Sequence, residues 1–159
     1  MTRIVRAEPL TEDAFRAFGF VLSVPTDGGR TGPVPVIADR RPNAAVTANL
    51  IDLPAEPGPR RVRRVERHPH GAQFFVHLSG GPISLVVFAS AADGRADPAA
   101  ARAFVAAPGL AFGYHPGIWH AGVAALDKGA AVASLLARDG TPADVEEADL
   151  AEPIEVQIT

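Results

Sequence analysis

The sequence predicts a mainly β domain, a small barrel or sandwich preceded by one short helix. Two observations carry this. Apolar residues make up 47% of the 159-residue chain, yet 15 glycines and 15 prolines cut them into short runs, the punctuation of a turn-rich β protein. The runs are closely spaced, as in barrels and sandwiches, and a barrel of this size can hold one small ligand in its mouth.

Thr11 is placed to cap a helix from Glu12 to about Phe18. Glu12 and Asp13 lie in its positive first turn, Ala14, Phe15 and Phe18 form its apolar face, and Gly19 ends it. Asp27 to Gly32 reads as a loop. Ala45 to Ile51 reads as a strand closed by Asp52-Leu53-Pro54, and Glu56 to Pro59 as a turn. Arg61 to His68 is the next strand; its alternation points Arg64, Glu66 and His68 the same way, and Pro69 ends it or puts it at an edge. Gln73 to Leu78 and Ile83 to Ala89 read as a hairpin joined through Ser79-Gly80-Gly81-Pro82. Asp97-Pro98 predicts a brief helix through Arg102, with Asp97 as cap and Pro98 in the first turn. Strands are expected over Phe104 to Ala107, Ala111 to Gly113, Trp119 to Ala124 and Ala130 to Leu136, and Asp144 to Glu152 reads as a short helix or an acidic tail. The whole chain, 1–159, reads as one domain.

Several function classes are excluded. A formal charge of −3 gives no general attraction to nucleic acid or anionic lipid, and the arginine cluster at 60, 61, 63, 64 and 67 lacks interleaved aromatics. That cluster reads as a charged strand edge. No apolar run reaches the ~20 residues of a membrane span. Without cysteine there is no disulfide or thiolate chemistry. The N-terminus has no signal-peptide pattern, so a cytoplasmic location is expected.

The chemistry gathers in two segments, Glu66-Arg67-His68-Pro69-His70-Gly71-Ala72-Gln73 and Tyr114-His115-Pro116-Gly117-Ile118-Trp119-His120. A carboxylate, two imidazoles and a carboxamide (Glu66, His68, His120 and Gln73) can hold a first-row divalent metal or move and orient a proton. The plainer reading makes Glu66 a surface partner of Arg64 or Arg67 and the histidines ordinary. Trp119 reads as packing, and His70 and His77 as turn and hairpin residues, although His77 shares the parity of Gln73 and Phe75 and could reach the site.

Spacing adds to this. Glu66-x-His68-x4-Gln73-x6-Gly80 has the shape of the first cupin motif, Gly-x5-His-x-His-x3-4-Glu-x6-Gly, with Glu66 at the first His, Gln73 at the Glu and Arg60 where the motif opens with Gly. Gly109-x5-His115-x-Gly117-x2-His120 has the shape of the second, Gly-x5-Pro-x-Gly-x2-His, with His115 in the Pro position. More closely, Glu66-Arg67-His68-Pro69-x-Gly71-x-Gln73-x-Phe75 with Tyr114-His115-x3-Trp119-His120 resembles the ureidoglycolate lyase (ureidoglycolate hydrolase) family of cupins. Ala7-Glu8-Pro9-Leu10-Thr11, Ala14-Phe15-x3-Gly19 and Asp144-Val145-Glu146 share the likeness. His77-Leu78, Ser79 and Ala121-Gly122 depart from it.

The resemblance implies a cupin-type double-stranded β-helix, a homodimer, and cleavage of ureidoglycolate to glyoxylate and urea in allantoin breakdown. On it, Glu66, His68 and His120 are the expected catalytic residues, and Gln73, Tyr114, His115 and Arg64 the expected substrate contacts. For His115, a strand-edge residue held by a backbone carbonyl is an equal alternative. A nickel, manganese or zinc ion held by Glu66, His68, Gln73 and His120, or no metal at all, is compatible with it. The departures leave a second reading, a divergent cupin that binds or converts another small carboxylic acid.

Overall fold

The computed structural model describes residues 2–33 and 39–158. Its strands are β1 (Arg3–Pro9), β2 (Gly19–Ser23), β3 (Ala45–Leu53), β4 (Arg60–Arg67), β5 (Gln73–Gly80) and β6 (Ile83–Ser90). They continue with β7 (Ala96–Ala106), β8 (Leu110–Tyr114), β9 (Trp119–His120), β10 (Ala124–Ala125), β11 (Ala130–Arg138) and β12 (Glu146–Gln157). One helical turn, α1 (Glu12–Phe15), and a 3-10 turn, Pro142–Asp144, are the described helical segments.

The strands form two sheets. The larger has the order β10-β6-β7-β1-β12-β4-β9, and β9 pairs with β6 as well as β4, which closes six of its strands into a ring. The smaller, β2-β8-β5-β11-β3, stacks against it. The expected mainly β architecture is observed, with one sheet closed into a barrel.

Alternation divides the apolar residues into two cores. Leu85 and Val87 of β6 join Phe104, Phe15, Phe75, Phe112, Tyr114 and Val132 between the sheets. Val86 and Phe88, pointing the other way, join Val5, Val62, Val65, Trp119, Ile154 and Val156 inside the ring. Strand β6 is therefore a wall shared by both cores, which is why Ile83 to Phe88 is buried without a break and apolar except at Ser84.

Four local expectations need correction. The turn at Gly80 and Gly81 does not make a hairpin: β5 pairs with β8 and β11, while β6 pairs with β7, β9 and β10. Gly80, at φ +95°, turns the chain from one sheet to the other, packed so closely that a Cβ there would strike the Gly129 carbonyl. Gly80→Ala should therefore cost about 1–3 kcal/mol, read as a lower denaturation midpoint; an unchanged midpoint would refute this account of the corner.

Asp97-Pro98 does not start a helix. The Asp97 carboxylate accepts from the Ala99 amide at 2.8 Å as a cap would, but the chain is extended in β7. Pro98 is tolerated because it lies where the β6–β7 register shifts, between Phe88 and Ser90. The acidic C-terminal stretch is strand β12 rather than helix or tail, anchored by Ile154 and Val156 in the ring and shifted in register after Asp149. Finally, Thr11 caps α1 as expected, Ala14 N–H donating to its hydroxyl at 3.2 Å, but the helix stops at Phe15 and Gly19 begins β2.

Candidate active site

In-register strand neighbours project to the same face, and this builds the site. His120 on β9 is opposite both Glu66 of β4 and Val87 of β6. Val87 belongs to the core between the sheets, so Glu66 and His120 point there as well, while the adjacent Val65 and Trp119 point into the ring. His68 follows the end of β4. Its carbonyl accepts from the Gly117 amide at 2.8 Å, a bond that ties the two sequence motifs together.

Glu66 Oε1 lies 3.8 Å from His68 Nε2 and 3.5 Å from His120 Nε2. These are ion-pair approaches, longer than a formed hydrogen bond. Each imidazole is held from behind: His68 Nδ1 meets the Asp144 carbonyl at 3.0 Å and His120 Nδ1 the Ile118 carbonyl at 2.9 Å. A carbonyl can only accept, so both Nδ1 atoms carry hydrogen and both Nε2 atoms present lone pairs inward. Those two Nε2 atoms are buried without a hydrogen-bond partner.

The electrostatics follow from this packing. His120 beside Glu66 holds its carboxyl below the usual range, against the opposing effect of burial, with His68 and Arg138 adding to the lowering. Burial pushes His68 below its ordinary value, only partly offset by the Asp144 carbonyl. At neutral pH the site therefore holds a carboxylate beside a neutral His68.

Tyr114 of β8 stacks on His120, ring centroids 4.2 Å apart, and its buried hydroxyl has no hydrogen-bond partner; burial raises its pKa. Gln73 is in register with Tyr114, donates to Ser134 Oγ at 3.1 Å, and keeps its Oε1 buried and unpartnered. The residues 66, 68, 73, 114 and 120 therefore share the space between the sheets.

Two expected substrate contacts lie elsewhere. Arg64 shares the face of Glu66, since β4 and β12 pair regularly from Arg64 to Arg67, but it lies at the outer, solvent-exposed end of that face, next to the register shift. Its side chain is 67% exposed and pairs with Glu147 at 2.7 Å. Both line a surface notch that reaches Glu66. Arg64→Ala should leave stability within about 0.5 kcal/mol and substrate affinity unchanged; a raised KM would return Arg64 to the site. His115 is exposed, as alternation from Tyr114 requires; its amide donates to the Phe18 carbonyl at 2.9 Å and its ring lies against Phe20.

Other residues have roles the sequence reading missed. Arg41 pairs with Asp39, Asp139 and Asp144 at 2.6, 2.8 and 2.7 Å, and the Asp144 carboxylate also accepts from the amides of Asp139 and Gly140. This network fixes the loop whose carbonyl orients His68. Asp144-Val145 was visible only as part of a family-like segment, since a backbone contact leaves no residue-type signature. Arg60, expected on a solvated edge, turns its guanidinium to the carbonyls of Ser84 and Gly122.

The family model for ureidoglycolate lyase matches residues 2–157. The chain belongs to the ureidoglycolate lyase family. A ureidoglycolate lyase of Mesorhizobium japonicum is 36% identical over 129 residues, covering 76% of this chain and 77% of that one. The ureidoglycolate lyases of Pseudomonas syringae pv. tomato and Pseudomonas paraeruginosa are 32% and 31% identical over 137 residues, covering 79% of this chain and 78% and 79% of theirs. Among solved structures, a dTDP sugar isomerase from Desulfovibrio desulfuricans G20 aligns over 82% of both chains at 18% identity, with a TM-score of 0.48. No reading of function rests on that likeness. In this lyase family member Glu66, His68 and His120 also form a group that could hold a metal ion, one ligand atom from each lying within 4.8 Å of the others.

Proposed function

We propose that this chain cleaves ureidoglycolate to glyoxylate and urea, a carbon–nitrogen (amidine-type) lyase reaction of allantoin and purine breakdown, and that it works as a cytoplasmic homodimer. The observation that carries the reading is the pair of buried, unpartnered Nε2 atoms facing the Glu66 carboxylate, in a chain of the ureidoglycolate lyase family.

Ureidoglycolate carries a hydroxyl and a ureido nitrogen on one carbon. Cleavage removes the hydroxyl proton, forms the carbonyl of glyoxylate, breaks the carbon–nitrogen bond and returns a proton to the departing nitrogen. His68 Nε2, neutral and desolvated, accepts the first proton. His120 Nε2, 3.5 Å from Glu66, delivers the second. Glu66 Oε1 lies within reach of both imidazoles and passes the proton taken up by His68 to His120, whose Nε2 starts as a lone pair, so one proton is moved from the hydroxyl to the departing nitrogen. Tyr114 fixes the plane of the His120 ring, and the free Gln73 Oε1 is available to accept a ureido N–H.

The same donor set fits a divalent cation, because two lone-pair imidazole nitrogens and a carboxylate are a first-row ligand set. Glu66, His68 and His120 would hold it, with Gln73 Oε1 as a further oxygen donor, and a bound nickel, manganese or zinc ion would supply Lewis-acid polarisation of the substrate oxygens. Glu66 Oε2 would then be left to carry the proton.

Purified protein mixed with ureidoglycolate, with and without each metal, should release glyoxylate and urea in equal amounts. Ammonia in place of urea would make the reaction a hydrolysis, and no turnover under any condition would reject the reading in favour of a small-acid binder. The departures at Ser79 and Ala121-Gly122 favour that second reading.

The pH dependence has a definite sign. His68 sits below its ordinary value of 6.5, so it stays neutral further into acid, and kcat/KM should hold down to about pH 6.5 and fall only below it. Stability follows the same direction. Below pH 6.5 the unfolded chain takes up a proton that buried His68 resists, so the folded state is weakened as pH falls. An acid limb centred above 6.5 in a kcat/KM profile would contradict this assignment.

A further inference from the structure

The reaction leaves one group of the substrate unassigned, its carboxylate, and Arg64 lies outside the site. We propose that Arg138 binds the carboxylate of the substrate and holds it at the mouth of the Glu66–His68–His120 group. The proposal rests on reading the site as one that acts on a small carboxylic acid.

Its placement comes from β11. Val132, Ser134 and Leu136 are buried on alternate positions, with Val132 in the core between the sheets and Ser134 bonded to Gln73. Arg138, two residues beyond Leu136, continues that face at the exposed end of the strand. From there the chain runs directly through Asp139 and Gly140 to Asp144, whose carbonyl holds His68. The Arg138 charge is felt by both Glu66 and His68.

The remaining guanidinium groups around the site are committed. Arg41 serves three carboxylates, Arg64 serves Glu147, Arg67 pairs with Glu146 and covers the Trp119 ring at 4.6 Å, and Arg60 donates to two carbonyls. Asp139, next in sequence, is taken by Arg41 and by the Thr141 amide and hydroxyl. Among the described residues the Arg138 guanidinium makes no hydrogen bond or ion pair. A free guanidinium offers a carboxylate two parallel N–H donors in a fixed fork, which a lysine cannot reproduce.

The test uses the full-length protein as purified, with Arg138→Ala, Arg138→Lys and, as a control, Arg63→Ala on the exposed part of β4. Calorimetry measures binding of glyoxylate and of glyoxylamide, its uncharged counterpart, and steady-state kinetics measures ureidoglycolate cleavage. Arg138→Ala should weaken glyoxylate binding and raise KM about 10- to 100-fold, with a smaller fall in kcat and no change for glyoxylamide. Arg138→Lys should recover part of the loss, and Arg63→Ala should match the unmodified protein. Unchanged glyoxylate binding in Arg138→Ala, or equal loss for glyoxylate and glyoxylamide, overturns the proposal. If the unmodified protein cleaves no ureidoglycolate, the lyase reading fails while glyoxylate binding still decides Arg138. If the unmodified protein does not bind glyoxylate at all, both fail.

Discussion

Replacing Glu66 with Gln should lower kcat/KM for ureidoglycolate about 10²–10⁴-fold, the range of a positioned acid–base group and about 3–5 kcal/mol of barrier. His68→Ala and His120→Ala should fall in the same range. The three Nε2 and Oε1 atoms lie within 4.8 Å of one another and act on one proton inventory, so the losses should not add. A double variant Glu66→Gln/His120→Ala should be little worse than the poorer single one. Rates of glyoxylate formation, with circular dichroism to verify folding, check this. A Glu66→Gln enzyme within tenfold of normal would remove Glu66 from the chemistry.

The largest effect on stability should come from Phe15→Ala, at about 3–5 kcal/mol. Phe15 is fully buried between the sheets, edge-on to Phe104 at 5.2 Å and tilted against Tyr114 at 6.0 Å. It is held by a single helical turn and by the collar of Phe18, so little can collapse into the space it leaves. Against the typical total of about 5–15 kcal/mol, that loss is a large share of the whole. Urea denaturation gives the measurement, with the exposed Leu50→Ala (Leu50 is 80% exposed) as the comparison expected to stay within about 0.5 kcal/mol. Because Tyr114 rests on Phe15 and His120 on Tyr114, the same variant should also lose activity while folded.

The residues that were legible in the sequence are those whose role is written in side-chain type and local spacing. Glu66, His68, Gln73 and His120 stood out as metal- and proton-competent groups at motif spacing, and the structure gathers them between the sheets. Arg64 misled because parity gives a face but not a depth: it shares the side of β4 that carries Glu66, yet it lies where solvent reaches it and is held by Glu147 from β12, some eighty residues away in sequence. The hairpin expected at Gly80 failed for a related reason. Two apolar runs and a tight turn specify a change of direction but not which sheet each run joins. Asp97-Pro98 carries a genuine local helix signal, overridden by pairing on both sides of β7. The roles of Asp144 and Arg41 were not legible because Asp144 orients His68 through its carbonyl and Arg41 serves three carboxylates spread across a hundred residues.

Strand β9 has only two residues, and each belongs to a different compartment. Trp119 is packed in the ring and donates its indole N–H to the Gly94 carbonyl at 2.9 Å, while His120 faces the space between the sheets. The seam that seals the ring is thus the same piece of backbone that aims the imidazole. Loosening at the seam cannot be silent to chemistry, and a change at His120 is felt by the ring's closure. Local opening and catalytic competence are consequently one equilibrium here, and hydrogen exchange at the amides of β9 would report both in a single measurement.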